Sequence, residues 1–297
     1  MKKKLTRRQR RRRYELSNSN WERLRPLLPH PTHKRGAGRP WKPHRRILNG
    51  IRWILHTGAP WRDLPGRYGP WETVYARFNR WREDGTWNKL LSRFLGRLDR
   101  QGRIDHDLWC IDATIIRASR AAGGARRLSV GSRCLGGKRA TQLLEPEDHA
   151  LGRSQGGFGT KVHLLCDSQG TVLALYATAG QRHESKWLPT TLARVALPRR
   201  LGSKHWPAKL AGDKGYSYPW LRRWLKRRHI EDVIPTRKDQ PRQEDFDKET
   251  YRQRNIVERA IGWQKECRRL GTRYEKLAVN FLAFWIVGLI GKLLGMG

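Results

Sequence analysis

Beyond residue 105 the chain runs in short apolar segments that end in a turn or a carboxylate and alternate with helical stretches. Few folds accept that pattern. Residues 108–112 are apolar up to Asp112, and 209–213 read as another short strand ending in Asp213. Residues 160–167 and 171–178 read as strands, with Ser168-Gln169-Gly170 as the hairpin turn between them. Residues 232–235 make a fifth short strand. Helical spacing is expected over 187–195 and 219–228, and a long helix from about Tyr251. A nearly all-apolar helix over 278–294 is expected to pack on a sheet. Strands alternating with helices predict an α/β domain over 105–295, with helices flanking a mixed five-stranded sheet. The Gly- and Arg-rich stretch 123–156 has no period and reads as a mobile basic loop that can contact DNA.

Residues 17–100 have a different period and predict a small all-α domain. Ser19 or Asn20 can cap a first helix containing Trp21, Leu24 and Leu28. Ile47, Ile51, Ile54 and Leu55 fall on one face of a second helix, which Thr57-Gly58-Ala59-Pro60 ends. Pro70 can open a third, where Val74, Phe78 and Trp81 form an apolar stripe with Arg77 and Arg80 off it. Trp87, Leu90, Leu91, Phe94 and Leu98 form a fourth amphipathic face. Two helices with a connector, the second basic on one side, suggest a helix-turn-helix in which Arg77 and Arg80 touch DNA. A basic face that merely meets solvent gives the same pattern.

Charge narrows the partners. The 297 residues include 63 Lys or Arg against 26 Asp or Glu, a net +37. Such self-repulsion calls for a polyanion, and double-stranded DNA is the obvious one. Nine of the basic residues lie in 1–13, so 1–16 reads as a disordered basic arm, yet the remainder is still strongly basic. The arm is followed by Tyr14-Glu15-Leu16-Ser17 instead of an apolar stretch, unlike a signal peptide. The longest apolar run, 281–291, is too short to span a bilayer, so no membrane is expected. The four Cys (110, 134, 166, 267) form no CxxC pair and read as reduced thiols of a cytoplasmic protein.

The usual signatures for nucleotide, zinc and serine chemistry are absent; His183-Glu184 lacks the second His of a zinc helix. Asp112 and Asp213 remain, each closing a strand, where open α/β sheets bind ligands. Glu258 is the third carboxylate. On an ideal helix, Tyr251, Arg254, Glu258 and Lys265 fall within about 60° of one another, with Ile256, Val257, Ala260 and Trp263 opposite. An Arg254–Glu258 salt bridge would explain part of that face. Converging carboxylates in so basic a chain also suit Mg²⁺, two ions of which can drive substitution at a phosphodiester.

Tyr251-x2-Arg254-x3-Glu258-x6-Lys265 resembles the Y-R-E-K signature of bacterial insertion-sequence transposases of the DDE class. Ile111-Asp112-Ala113-Thr114 and Gly212-Asp213-Lys214-Gly215-Tyr216 resemble the surroundings of that family's two aspartates. Gly38-Arg39-Pro40, 57–65 and Tyr68-Gly69-Pro70-Trp71 resemble the N-terminal domain of insertion-sequence family five. The resemblance implies a ribonuclease-H-like domain with Asp112, Asp213 and Glu258 as catalytic, metal-holding residues. It implies two Mg²⁺ ions, with Mn²⁺ as substitute, and Tyr251, Arg254 and Lys265 against the DNA strand. It further implies binding of terminal inverted repeats, cleavage at element ends, joining of the 3′-hydroxyl to target DNA, and a homodimer or larger synaptic complex. A metal-dependent nuclease that never joins strands, or a noncatalytic or defunct DNA-binding relative, would share much of this sequence. Asp167, which also ends a strand, is the control carboxylate.

Overall fold

Seven strands form one mixed sheet in the computed structural model, which describes residues 13–29, 42–125, 145–198, 206–241 and 243–295. The basic arm up to residue 12, the Gly38-Arg39-Pro40 segment and positions 126–144 of the basic loop lie outside the described residues. The strands are β1 (Leu108–Ala118), β2 (Gly152–Ser154), β3 (Gly157–Asp167), β4 (Val172–Ala179), β5 (Lys209–Ala211), β6 (Glu231–Val233) and β7 (Thr272–Arg273). The spatial order is β4-β3-β1-β5-β6. β3 is antiparallel to β1 and β4, while β5 is parallel to both β1 and β6. This is the ribonuclease-H-like arrangement expected from the sequence. The hairpin turn at 168–170 is present, with Gly170 at φ 82° and its N–H donating to the Asp167 carbonyl at 3.1 Å.

Two details of the sheet differ from expectation. β1 does not stop at Asp112. Its antiparallel ladder with β3 continues through Thr114, Ile115 and Ile116 to Arg117, where the other edge pairs with β7. The short strands β2 and β7 carry too few residues for a period, and they form by pairing with β3 and β1.

The helices are α1 (Asn18–Leu24), α2 (His44–Thr57), α3 (Trp71–Glu83), α4 (Thr86–Arg100), α5 (Arg120–Gly123), α6 (Leu188–Leu192), α7 (Pro219–Lys226), α8 (Lys248–Gln253), α9 (Asn255–Lys265), α10 (Arg268–Gly271) and α11 (Ala278–Leu293). Ser17 caps α1, accepting from Asn20 N at 3.1 Å, in place of Ser19 or Asn20. The link between α2 and α3 contains two 3₁₀ turns, Trp61–Asp63 and Gly66–Tyr68, and is longer than the turn of a helix-turn-helix. The tight connection lies between α3 and α4 at Asp84-Gly85, with Gly85 at φ 74°.

The long helix expected from Tyr251 is divided. Arg254 ends α8 and opens α9, with Arg254 N donating to Tyr251 O and Val257 N to Arg254 O, both at 3.0 Å. These i−3 bonds tighten the turn there.

α11 also has more neighbours than the sheet. Every residue from Ala278 to Gly291 is buried, and α11 packs against α2, α3 and α4 as well as β4 and α9. The rings of Phe284 and Phe78 stack at 4.4 Å, with Trp61 at 5.8 Å from Phe284. One hydrophobic core therefore runs from Ile47, Phe78 and Leu95 through Phe284 to Leu164 and Leu210. The N-terminal helices are welded to the sheet domain, not tethered to it.

Candidate active site

β1 and β5 are parallel, with Cys110 level with Ala211. Continuing that register puts Asp112 level with Asp213, just past the end of β5. This is the crevice at carboxyl strand ends where α/β sheets bind ligands. Each aspartate is fixed locally by a backbone amide. Asp112 Oδ1 accepts from Ala113 N at 2.8 Å; Asp213 Oδ1 accepts from Gly215 N at 2.9 Å and caps the 3₁₀ turn Lys214–Tyr216. Burial raises the pKa of both carboxyls. Each is raised further by another carboxylate, Asp112 by Asp213 and Asp213 by Glu184, while Arg254 pulls both back.

The break between α8 and α9 delivers Arg254 to this point. Its guanidinium donates to Asp112 Oδ2 at 3.3 Å and to Glu258 Oε1 at 2.5 Å. Burial disfavours the Arg254 charge, but Asp112, Tyr251 and Glu258 outweigh that and leave its pKa above the usual value. Tyr251 lies with its ring centroid 5.9 Å from the Arg254 guanidinium carbon. Lys265, one end of the same signature, donates to Thr114 Oγ1 on β1 at 2.7 Å. Burial lowers its pKa and Asp112 partly restores it. The structure thus brings together Asp112, Asp213, Tyr251, Arg254, Glu258 and Lys265. The Arg254–Glu258 bridge exists, as the plainer reading of that face required, but the same guanidinium also holds Asp112.

The donors present suit a hard divalent cation, since Asp213 raises Asp112, Glu184 raises Asp213, and the positive charge now between Asp112 and Glu258 comes from Arg254. Glu258 is the half-exposed partner of a largely buried Arg254, so its carboxylate is open to a cation from solvent. Among the described residues no three His, Cys, Asp or Glu already converge on one point.

Arg77 belongs elsewhere. It is buried on α3, bonded to His44 Nδ1 at 2.9 Å and lying over Trp81 at 5.6 Å, so it cannot contact DNA as the sequence suggested. On a helical wheel Arg77 lies only about 60° from Val74, at the margin of the apolar stripe. Arg80 is exposed on the same helix. Asp167 is a turn residue: Oδ1 accepts from Gln169 and Thr171 amides, Oδ2 from Asp105 N. Cys110, Cys166 and Cys267 are buried free thiols, and burial pushes Cys110 up to about 12. Among the described residues no helix is long and apolar enough to cross a membrane. Sequence reasoning set Glu184 aside as half of a zinc motif. Its position directly after the third core strand was the signal that could have placed it beside Asp213.

Two family models match the chain. "Putative transposase of IS4/5 family (DUF4096)" covers residues 16–91, and "Transposase DDE domain" covers residues 104–290. The "Uncharacterized protein y4sN" of Sinorhizobium fredii (strain NBRC 101917 / NGR234) is 37% identical over 116 residues, 39% of this chain and 86% of that protein. The "Insertion element IS402 uncharacterized 16.2 kDa protein" of Burkholderia cepacia is 35% identical over 102 residues, 33% of this chain and 69% of that protein. The pre-cleavage Mos1 transpososome aligns over 86% of this chain and 87% of that chain at 12% identity, with a TM-score of 0.25. The Mos1 mariner paired end complex with Mn gives 13% identity over 86% and 88%, also at 0.25. Superpositions that loose decide nothing about this chain, whose fold rests on its own strand order. The DDE-domain match alone spans more than half of the sequence, and it falls on the domain that carries Asp112, Asp213 and Glu258. This chain belongs to the DDE transposase family, with N-terminal helices of the IS4/5 type.

Proposed function

We propose that the protein binds the terminal inverted repeats of an insertion sequence, cleaves phosphodiester bonds at the element ends and joins the 3′-hydroxyl ends to target DNA. The observation that carries this reading is the level placement of Asp112 and Asp213 along the paired parallel strands β1 and β5, with Arg254 bridging Asp112 to Glu258. Asp112, Asp213 and Glu258 would hold two Mg²⁺ ions, for which Mn²⁺ can substitute. Bound there, the cations supply activation of an attacking oxygen and neutralisation of a leaving one.

The chain's own residues account for the rest. Arg254, on giving up its carboxylates, can present its planar fork to phosphate oxygens. Lys265, held against β1 by Thr114, places an ammonium at the same crevice. Tyr251 stands beside Arg254 to orient the strand. Arg80 and the basic arm contribute positive charge for the duplex. A homodimer or larger assembly would bring two element ends together, acting on DNA in the bacterial cytoplasm.

The test is cleavage of a supercoiled plasmid carrying the element's own ends, with Mg²⁺, followed by strand transfer from a precleaved end. Wild type is expected to cut and join. Asp112→Asn, Asp213→Asn and Glu258→Gln are each expected to lose cutting while still shifting end DNA, and Asp167→Asn, if folded, to retain it. Cutting by Glu258→Gln at the wild-type rate would remove Glu258 from the site. Cutting without joining would reduce the protein to a nuclease.

A further inference from the structure

Glu184 opens the 3₁₀ turn Glu184–Trp187 that follows β4, and this turn packs against the one headed by Asp213. Its Oε2 accepts a 2.8 Å bond from Lys161 Nζ on β3. Its Oε1 accepts no hydrogen bond among the described residues and faces Gly215. A Cβ on Gly215 would lie 2.5 Å from Glu184 Oε1 and 2.9 Å from Asp213 Oδ1, closer than side chains tolerate. Glycine here therefore lets two carboxylate oxygens approach a single cradle from opposite sides.

A second feature lies in the same turn. Tyr216 is fully buried, and its hydroxyl has no hydrogen-bond partner among the described residues. That hydroxyl lies in the field of Asp112, Glu184 and Asp213. A buried donor without a partner is costly, and a hydrated ion offers it a water oxygen. The Lys161 ion pair needs only one of the Glu184 oxygens. It gives no reason for the other to face Asp213, an arrangement that like charge opposes. A hard dication taking one oxygen from each carboxylate removes that opposition.

We propose that Glu184 is a fourth carboxylate of the cation site, sharing one divalent ion with Asp213 across the side-chain-free surface of Gly215. This rests on the carboxylate-site reading above. The test is Mn²⁺ titration of the full chain without DNA, read from the free-ion paramagnetic resonance signal, with circular dichroism confirming that each variant folds. Glu184→Gln should weaken Mn²⁺ binding at least about tenfold. Gly215→Ala, which removes no charge, should weaken it as well, whereas Lys161→Met should leave it intact. Wild-type binding by Glu184→Gln or by Gly215→Ala, alongside loss in Asp213→Asn, would overturn this inference and leave the three-carboxylate site standing. Equal loss in Lys161→Met and Glu184→Gln would also overturn it, making Glu184 a strut. No binding by wild type, or binding unaltered in both Asp112→Asn and Asp213→Asn, would sink the carboxylate-site reading and this inference with it.

Discussion

The aspartates of the site burden the fold that holds them. Burial and the neighbouring carboxylates raise the Asp112 and Asp213 pKa values above the ordinary 3.8, so the folded state favours their protonated forms. Above those raised values the cost of the two charges is present in full. It is relieved as pH falls through the raised pKa values. Asp213→Asn keeps an oxygen to cap Gly215 N while removing the charge, so the cation-free variant should melt above wild type at pH 7. The gain should be about a few degrees at most, because Asp213 is partly open to solvent, and it should shrink as pH falls. A lower melting temperature for Asp213→Asn across that range would show that the aspartate is held by favourable contacts instead. Burial and Arg80 disfavour the Arg77 charge too, but its guanidinium ties α3 to α2 through His44. Arg77→Ala should lower stability by about 1.5–3 kcal/mol through loss of its charged hydrogen bond, with the end-DNA affinity of the folded protein unchanged. Parallel urea denaturation and gel-shift titrations separate the two effects. The three carboxylates were legible because each sits at a place where sequence pattern and chemistry agree. Arg77 was not, because a guanidinium at the margin of an apolar stripe reads as solvated until its partner, here His44 from another helix, is known.

At the scale of elements, the connections rather than the elements themselves escaped the sequence. The Tyr251 to Lys265 face was legible as one helix, since its residues keep helical spacing. The break at Arg254 was not, because no Gly or Pro marks it and Arg254 itself stays in helical conformation (φ −53°, ψ −27°). The strand beyond Asp112 was equally hidden, since its length is set by pairing with β3 and, at its end, with β7, both distant in sequence. By contrast, the end of α2 was written plainly in Gly58. Its φ is 72°, its N–H donates to Ile54 O at 3.0 Å, and a Cβ there would lie 3.2 Å from Arg268 Cβ on α10. Gly58→Ala should therefore cost about 1 kcal/mol or more, from backbone strain and from pressure on α10. Gly66→Ala meets nothing within 4 Å and has no such backbone constraint, so it serves as the control. Equal denaturation midpoints for the two would mean that the α2–α10 contact yields freely.

At the scale of the whole molecule, the expected division into a DNA-binding domain and a catalytic domain does not extend to the core. Phe284 of the last helix stacks on Phe78 of the third, Arg269 Nη1 donates to Ala59 O at 2.8 Å, and Cys267 Sγ lies 3.4 Å from His56 Nδ1. A flexible pair of domains would unfold in two steps, and each part would fold alone. A shared core predicts one cooperative transition in calorimetry, with equal van't Hoff and calorimetric enthalpies. It also predicts that a fragment of residues 104–295 exposes Phe284 and the apolar length of α11 and fails to form a soluble, cooperatively melting unit. Phe284→Ala in the full chain should cost about 3–5 kcal/mol and move that single transition as a whole. Two resolved transitions, with only one shifted by Phe284→Ala, would restore the two-domain picture. If the single transition holds, a load on the N-terminal helices passes through α11 and α10 to the elements that carry Arg254 and Glu258. Under the proposed function, the reach from end recognition to the scissile bond would then be fixed by a rigid body and not by a linker.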